Sequence, residues 1–282
     1  IASLWAGYGT IYRVLLSNGE SVIVKLVQPT RNDSGISHQR KLKSYQVESY
    51  FYSHLAFDRF DCRMPKHLYS YNNGQNMCLI MDDLEPTYPS QKHDLDCTDI
   101  KSALTWLAKF HCHFWNKSPE GVWSNGGYWY LDTRLEEWES ISKKYGLLKE
   151  NARAIDLKTR DRRFETLIHG DPKSENILWD NQANCSFYDF QYVGVGLGAK
   201  DVAYLVTSSA NHQVLQNDDF LKDYFDALVA ESIRTNTDLN GYTFELFCEH
   251  FNWCLLDYFR FMAGWGLWGN HRWCFQRIKH LI

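Results

Sequence analysis

The sequence predicts an α+β protein with a small antiparallel β N-terminal lobe carrying one helix, and a larger, mainly helical C-terminal lobe with an embedded β-hairpin. Three observations predict this division. Alternating, β-branched segments joined by hairpin turns are confined to the first 85 residues, whereas helical spacing of apolar residues dominates after them. Two short strand-like segments then return inside the helical part. We therefore expect an N-terminal lobe at 1–85 and a C-terminal lobe at 86–282.

Hairpins organise the N-terminal lobe. TIYRVLL and SVIVKLVQ flank an Asn-Gly turn at 17–20, and a second Asn-Gly turn at 72–74 separates HLYSY from NMCLIM. We expect the polar stretch 29–42 to be a connection, and the acidic stretch 82–86 to be a linker. The expected strands are 10–16, 21–28, 67–71 and 76–81, and the expected helix is 43–57.

Helices dominate the C-terminal lobe. The first, at 98–117, has apolar residues at helical spacing and Thr98 or Asp99 as its N-cap. There are no internal repeats or low-complexity segments. The other expected elements are amphipathic helices at 131–145 and 148–165, hairpin strands at 177–179 and 185–190, and helices from Asp201 to the end.

Composition and charge exclude several classes of protein. Hydrophobic residues make up 44% of the 282 and charged residues 23%, as in ordinary soluble globular proteins. The formal net charge is −4, so no basic excess favours nucleic acid or an anionic membrane surface as a partner. No run of about 18 apolar residues predicts a membrane span. The oligomeric state is left open.

The eight cysteines form no C-x-x-C pair, so a zinc or thioredoxin-like site has no support. We expect reduced, mostly buried thiols in a cytoplasmic protein. No signal peptide is recognisable. The chain begins with Ile1 rather than Met, which leaves open whether its natural N-terminus lies upstream.

Residues 169–176, HGDPKSEN, concentrate polar groups that carry chemistry. Asp171 lies in a loop after the strand-like TLI, Asn176 precedes the first hairpin strand, and Asp189 lies at the end of the second. The hairpin would bring Asn176 and Asp189 to one end, where both can face one cation. Hard oxygen ligands of this kind suit Mg²⁺. If HGDPKSEN is considered alone, the alternative is a polar turn that has no catalytic function.

The pattern H-G-D-x-x-x-x-N, followed by D-F-Q and D-V-A-Y, resembles the aminoglycoside phosphotransferase and choline kinase superfamily. FYDFQYVGVGLGAKDVAYL is most similar to its choline-kinase-like or ecdysteroid-kinase-like branch. The resemblance covers nearly the whole chain. It implies a protein-kinase-like fold and a kinase that uses ATP and Mg²⁺ to phosphorylate a hydroxyl group of a small molecule.

The resemblance also implies roles for the residues of the C-terminal lobe. Asp171 is the catalytic base, and Asn176 and Asp189 are the Mg²⁺ ligands. His169 buttresses the loop rather than taking part in the chemistry. Lys173 either neutralises the transferring phosphoryl group or is an exposed loop lysine.

Lys25 is the corresponding candidate in the N-terminal lobe. It stands mid-strand in the apolar run VIVKLV, where an ammonium group is costly without a partner. It resembles the kinase strand lysine that contacts the α- and β-phosphates. The resemblance implies that a glutamate on the following helix pairs with this lysine, and Glu48 is the one glutamate between Lys25 and the linker. An edge-strand lysine that reaches solvent is the alternative.

Two backbone segments complete the predicted nucleotide site. Gly7 and Gly9 form a Gly-x-Gly turn whose amides can cover phosphates, although Tyr12 replaces the third glycine of the full motif. The hinge at Met81 to Asp83 can hydrogen-bond adenine through its backbone. For Asp82 and Asp83, turn residues without this role are the alternative.

Each of three further features has two possible interpretations. Asp201 either anchors the catalytic loop through backbone hydrogen bonds, as the resemblance implies, or caps a helix. His111 and His113 suggest a metal, but residues two apart point to different faces of a helix, which favours a structural role. The aromatic segment 259–273 is either core or an acceptor wall for a quaternary ammonium or a flat apolar alcohol.

Two other functions stay open beside the small-molecule kinase. A Ser/Thr protein kinase is disfavoured by Gly170 at the H-R-D arginine, Gln191 at the D-F-G glycine and only 11 residues between Asp189 and Asp201. A catalytically inactive binding module is disfavoured by the complete set of polar groups. The acceptor is also open among choline, ethanolamine, an aminoglycoside, a sugar and a steroid-like alcohol.

Overall fold

An antiparallel β-sheet forms the N-terminal part of the chain and helices form most of the C-terminal part, which confirms the predicted α+β class. The computed structural model describes residues 1–4, 7–29, 35–56, 61–74 and 76–281. Among these residues, no helix has the length and apolar character needed to cross a membrane.

The N-terminal sheet has five antiparallel strands in the order β1-β2-β3-β5-β4. Both predicted hairpins are present, and a glycine with positive φ lies in each turn, Gly19 at 86° and Gly74 at 87°. The short edge strand β1 was not predicted. The strands are β1 Ala2–Ser3, β2 Gly9–Leu15, β3 Ser21–Val27, β4 His67–Asn72 and β5 Met77–Asp82.

Helix α1, Ile36–Tyr50, begins seven residues before the predicted start and continues as a π-helical turn, Phe51–Leu55. The prediction that 29–42 is a non-helical connection was therefore wrong from residue 36 onward. The first turns of α1 are mostly exposed and lack an apolar stripe, so periodicity could not reveal them. The ring of Phe51 stacks on that of Phe190, with centroids 4.3 Å apart, and so joins the end of this helical segment to the C-terminal part.

The C-terminal part has eight further α-helices among the described residues. The first of them, α2, confirms the predicted helix but begins and ends earlier. The predicted N-caps were wrong, because Asp96 caps the helix and Asp99 completes a capping box by accepting from the Asp96 amide. These helices are α2 Cys97–His113, α3 Leu135–Glu139, α4 Gly146–Glu150, α5 Ala152–Lys158, α6 Gly198–Ser209, α7 Asp219–Thr235, α8 Phe244–Trp265 and α9 His271–Ile278.

The predicted helices at 131–145 and 148–165 are wrong in length. Short helices replace them, and from residue 159 the chain leaves the helix and enters a strand that starts at Glu165. That strand, β6 Glu165–Ile168, pairs with β9 Gly194–Leu197. β6 is stabilised by pairing with a strand that lies far along the chain. Local hydrophobic periodicity carries no information about such a pairing.

The predicted hairpin in the C-terminal part is present as β7 Ile177–Trp179 and β8 Cys185–Phe187. A continuous apolar core runs through α2, α6 and α8 and includes Met81 of the N-terminal sheet. All eight cysteines are free thiols, and four of them are buried. The segments that connect β6 to β7 and β8 to β9 carry the candidate site, and Asp189 in the second segment contacts Lys25 of the N-terminal sheet.

Candidate active site

The loop after β6 is held by a carboxylate from helix α6. Asp201 accepts hydrogen bonds from the backbone amides of His169 at 2.6 Å and Gly170 at 2.9 Å, and its side chain is 1% exposed. Since α6 begins at Gly198, Asp201 lies inside the helix, and the interpretation of Asp201 as a helix cap is wrong. The anchoring interpretation agrees with these hydrogen bonds.

Gly170 has a conformation that excludes a side chain. Its φ is +83°, and a Cβ atom added there would lie 2.3 Å from the carbonyl oxygen of Tyr192. An arginine, as in the H-R-D motif of protein kinases, cannot occupy this position without moving the backbone of either segment. The difference from the protein-kinase motif is therefore a feature of the local fold.

The His169 side chain is fully buried beneath the loop. Its Nδ1 accepts a hydrogen bond of 3.2 Å from the Asp171 amide, so Nε2 is the protonated nitrogen that donates to the carbonyl of Tyr188 at 3.0 Å. Burial lowers the pKa of His169 and keeps the ring neutral. These contacts hold the backbone of the loop at Asp171 in place.

The Asp171 carboxylate is only 7% exposed and has three side-chain partners. Oδ1 accepts from the hydroxyl of Tyr204 at 2.8 Å, and Oδ2 accepts from Nδ2 of Asn176 at 3.1 Å, with Nζ of Lys173 3.3 Å away. Burial raises the pKa of Asp171 to about 6, while Lys173 opposes the rise and the Asp189 charge adds to it. The group can therefore exchange a proton near neutral pH.

Tyr204 is a site residue that the sequence did not assign. It is the tyrosine of D-V-A-Y, and it lies one helical turn after Asp201 on the same face of α6. This three-residue spacing is the signal that could have identified it. Helix α6 thus both anchors the loop and contacts the carboxylate of Asp171.

Asn176 and Asp189 lie at the same end of the β7–β8 hairpin. Asn176 directly precedes β7, and the amide of Tyr188 donates to the Asn176 carbonyl at 3.1 Å. The Asn176 side chain donates through Nδ2 to the Asp171 carbonyl at 2.8 Å, which leaves Oδ1 as the atom that can ligate a cation. Asp189 has a φ of +65°, an uncommon conformation for a non-glycine residue that is often found at functional sites.

The donor set at this end fits a magnesium ion bound together with phosphates. No cluster of three or more His, Cys, Asp or Glu side chains that could hold a metal by itself occurs within the described ranges. One carboxylate and one amide oxygen match Mg²⁺, which commonly keeps waters and takes its other ligands from phosphates. Asn176 and Asp189 could hold such an ion.

Lys25 on β3 connects the N-terminal sheet to this hairpin. Its Nζ lies 2.6 Å from Oε2 of Glu48 and 3.2 Å from Oδ1 of Asp189, and the lysine side chain is 6% exposed. Burial alone would lower the pKa of Lys25, but the carboxylates of Asp189 and Glu48 raise it above its usual range. The ammonium therefore stays charged, and Lys25 is not an edge-strand lysine that reaches solvent.

Gln191 links Asp189 to helix α1. Its Nε2 donates to Oδ1 of Asp189 at 2.7 Å, and its Oε1 accepts from Nζ of Lys41 at 3.0 Å and from Oγ of Ser44 at 3.1 Å. The sequence singled out Gln191 only as a departure from the protein-kinase motif. Its contacts span about 150 residues of sequence, which no local pattern reveals.

The predicted Gly-x-Gly turn begins β2. The amide of Gly7 donates to the carbonyl of Leu4 at 3.1 Å, so this donor is used within the turn. Gly9 is required by close packing, because a Cβ atom there would lie 1.9 Å from the carbonyl oxygen of Leu26. Residues 5 and 6 of the turn lie outside the described residues.

The predicted hinge follows β5. Met81 is buried in the strand, and the Asp83 carboxylate accepts hydrogen bonds from Nε of Arg13 at 2.6 Å and from Oγ of Ser21 at 2.7 Å. The Asp83 side chain therefore contacts β2 and β3, and only the backbone of Asp83 is left to bind a ligand.

The other histidine candidates have structural contacts. His111 is fully buried, with Nδ1 2.8 Å from the hydroxyl of Tyr224 and Nε2 3.1 Å from Oδ2 of Asp201. It therefore supports the residue that anchors the loop. These contacts agree with the structural role predicted for His111.

Comparisons with known proteins concern the family and the fold of the chain. The family model of APH, described as a phosphotransferase enzyme family, matches residues 2–233. No curated protein matched the sequence.

Three solved structures share the fold. A choline kinase from Cryptosporidium parvum Iowa II has a TM-score of 0.57 and 10% identity, covering 97% of this chain and 88% of its own. Amicoumacin kinase hAmiN, in complex with AMP-PNP, Ca²⁺ and Ami, has a TM-score of 0.54, 12% identity and coverages of 99% and 88%. A microcompartment-associated aminopropanol kinase has a TM-score of 0.52, 12% identity and coverages of 96% and 89%.

At these identities, the structural likeness establishes the kinase-like fold and nothing narrower. The family assignment depends instead on the match of the sequence itself, which extends from residue 2 to residue 233 of 282. The chain therefore belongs to the APH phosphotransferase enzyme family.

Proposed function

We propose that this protein is a kinase that transfers the γ-phosphoryl group of ATP to a hydroxyl group of a small molecule, with Mg²⁺ as its metal. The observation that carries the proposal is the convergence of Lys25, Asp171 and Asp189, which come from three separate segments of the chain. Lys25 lies 3.2 Å from Asp189, and Asp189 adds to the raised pKa of Asp171. A base, a cation and a metal ligand are the parts that phosphoryl transfer requires.

Asp171 would orient the acceptor hydroxyl and accept its proton. With a pKa of about 6, most of this carboxylate is ionised at pH 7, yet it remains a far better proton acceptor than an exposed aspartate. Lys173, 3.3 Å from the Asp171 carboxylate, would stabilise negative charge on the transferring group. His169 would hold the loop.

Asn176 and Asp189 would hold Mg²⁺, which when bound neutralises charge on the ATP phosphates. Lys25, kept charged by Glu48, would contact the α- and β-phosphates. Because Lys25 bridges Glu48 and Asp189, binding of the nucleotide would redistribute an ion pair that is already formed. The AMP-PNP and Ca²⁺ in the amicoumacin kinase structure support the use of a nucleotide and a divalent cation.

The chain would divide into a nucleotide-binding lobe at 1–85 and a catalytic and acceptor-binding lobe at 86–282. Backbone groups at Gly9 and between Met81 and Asp83 would contact the nucleotide, whereas the Gly7 amide is used within the turn. The similar structures include a choline kinase and an aminopropanol kinase, which supports a small alcohol as the acceptor. A cytoplasmic location fits the use of ATP.

A panel of small alcohols with Mg-ATP tests the proposal. We expect ATP-dependent phosphorylation of at least one alcohol, and loss of this activity by a factor of about 10² or more in Asp171→Asn, because a positioned base contributes about that much. Turnover that survives Asp171→Asn would overturn the mechanism. ATP consumption only with a protein substrate would indicate a protein kinase, and no stabilisation by Mg-ATP in thermal unfolding would indicate an inactive module.

A further inference from the structure

Aromatic rings near the catalytic loop are covered by arginines of this chain. The guanidinium carbon of Arg40, on α1, lies within 6 Å of three ring centroids: Trp123 at 5.9 Å, Tyr130 at 5.7 Å and Tyr192 at 5.6 Å. These separations are typical of cation–π contacts. The rings therefore already have a cation beside them.

A second arginine contacts the aromatic segment near the end of α8. The guanidinium carbon of Arg134 lies 4.6 Å from the ring centroid of Tyr128, 5.6 Å from that of Phe261 and 5.3 Å from that of Trp265. Its side chain is 15% exposed. A quaternary ammonium ligand would have to displace this guanidinium or share these rings with it, which like charge opposes.

The two guanidinium groups are close neighbours beside the catalytic loop. Nη2 of Arg40 donates to the carbonyl of Tyr128 at 2.7 Å, and Nη2 of Arg134 donates to the same oxygen at 3.3 Å. The amide of Tyr128 in turn donates to the carbonyl of Gly170 at 2.8 Å, and Gly170 precedes Asp171. The paired arginines are therefore tied by hydrogen bonds to the loop that carries the proposed base.

The positive charge of this pair is only partly balanced. Arg134 has one carboxylate partner, Glu137, at 3.1 Å, whereas Arg40 has no ion pair with a carboxylate in the described part of the chain. Burial lowers the pKa of Arg40, and the charge of Arg134 lowers it further. The Nε atoms of both arginines are buried and lack a hydrogen-bond partner within the described ranges. An oxyanion between the two groups would relieve their repulsion.

We propose that the acceptor alcohol carries an oxyanion, a carboxylate or a phosphate ester, which Arg40 and Arg134 bind while Asp171 orients the hydroxyl group. This inference depends on the proposed function, since it names the acceptor class of the same site. It disfavours choline and aminoglycosides, which are cationic, and it assigns Arg40 and Arg134 to acceptor recognition.

Binding to the nucleotide-saturated protein tests the inference. Protein saturated with Mg-AMP-PNP is titrated calorimetrically with four small alcohols: glycerol, glycerate, glycerol phosphate and choline. We expect one or both anionic probes to bind on the order of 10-fold or more tightly than glycerol, and choline to bind more weakly than either. The tighter of the two anionic probes distinguishes a carboxylate from a phosphate ester.

Variants of Arg40 test whether this arginine produces the preference for anionic probes. Arg40→Gln should remove the preference for anionic probes and leave the affinity for Mg-AMP-PNP unchanged, whereas Arg40→Lys should keep part of the preference. The matched control is Arg153→Gln, because the Arg153 side chain is 66% exposed and pairs with Asp132. Melting temperatures of all variants are compared first, since Arg40 also joins α1 to the C-terminal part.

The outcomes separate this inference from the proposed function. Anionic probes that bind no better than glycerol to the wild type would overturn the inference, and so would a loss of Mg-AMP-PNP affinity in Arg40→Gln equal to the loss for the anionic probes. In both cases the proposed kinase would stand if any alcohol were phosphorylated. Failure of the wild type to bind Mg-AMP-PNP at all would instead overturn the proposed function, and this inference with it.

Discussion

The hydroxyl of Tyr204 donates a hydrogen bond of 2.8 Å to Oδ1 of Asp171. Both residues are buried, so this bond is shielded from solvent. It fixes the orientation of the carboxylate and favours its ionised form, which opposes the effect of burial on the Asp171 pKa. Helix α6 therefore tunes the proposed base as well as holding its loop.

Tyr204→Phe should shift the pH dependence of kcat/KM. Without the hydroxyl donor the pKa of Asp171 rises above its value of about 6, so the acid limb of the profile should move to higher pH. A hydrogen bond to a charged group contributes about 1.5–3 kcal/mol, so the shift should be on the order of one pH unit. The measurement is kcat/KM from about pH 5 to about pH 9, which spans both sides of the expected limb.

Tyr258→Phe is the matched control for this experiment. Tyr258 packs against Tyr204 with ring centroids 5.0 Å apart, but its buried hydroxyl has no hydrogen-bond partner among the described residues. Its removal should leave the acid limb in place. Equal profiles for Tyr204→Phe and the wild type would show that the hydroxyl does not tune Asp171.

Asp171→Asn should be inactive yet gain stability relative to the wild type as pH rises. Asp171 has a folded-state pKa of about 6 against an ordinary aspartate value of 3.8, so its favourable contribution is present below about pH 4 and is lost as pH rises through 6. Asparagine stays neutral throughout. The difference in unfolding free energy should change by roughly 2–3 kcal/mol between about pH 4 and pH 7, at about 1.36 kcal/mol per pKa unit.

Urea denaturation at several pH values measures this difference. Changed hydrogen bonds in Asp171→Asn add an offset, but that offset does not depend on pH, so the slope is the diagnostic quantity. A difference that stays constant across this pH range would mean that Asp171 has an ordinary pKa in the folded protein.

The Lys25–Glu48 pair should behave as a coupled unit. Lys25→Met leaves the Glu48 and Asp189 carboxylates without their shared cation, and loss of one partner of a buried pair typically costs about 3–5 kcal/mol. The double variant Lys25→Met with Glu48→Leu should be less destabilised than the sum of the single variants. Urea denaturation of the four proteins completes the cycle, and additive losses would argue against coupling.

Local sequence patterns predicted the elements whose signals are short-range. The hairpins follow from Asn-Gly turns and alternation, and the placement of Asn176 and Asp189 at one end follows from the β7–β8 hairpin between them. Glu48 as the partner of Lys25 followed from the resemblance, which implies a glutamate on the next helix, and Glu48 is the one glutamate between Lys25 and the linker. The hairpin inferences needed only the order of residues and the geometry of a hairpin.

Long-range contacts account for what sequence reasoning missed. The partner of β6 is β9, whose register pairs Ile168 with Gly194 across an intervening hairpin. Tyr204 contacts Asp171 across 33 residues. Arg40 lies in the first half of α1, within the stretch that the sequence predicted as a connection, so its approach to Tyr128 had no local signature.

Gln191 should couple helix α1 to the proposed metal ligand Asp189. The Gln191 side chain donates to Asp189 and accepts from Lys41 and Ser44, and Glu48 on the same helix reaches Asp189 through Lys25. Two independent links therefore join α1 to this carboxylate. Removing one of these links should make both helix α1 and the Asp189 side chain more mobile.

In Gln191→Ala, the apparent affinity for Mg²⁺ in the presence of ATP should fall by about 10-fold or more, the usual effect of losing a group that orients a metal ligand. Amide hydrogen exchange of α1 should become faster, a readout that does not depend on activity. Gln213→Ala, at an exposed glutamine, is the control. If exchange in α1 is unchanged in Gln191→Ala while Mg²⁺ affinity falls, Gln191 orients Asp189 alone, and the proposed coupling to the helix is wrong.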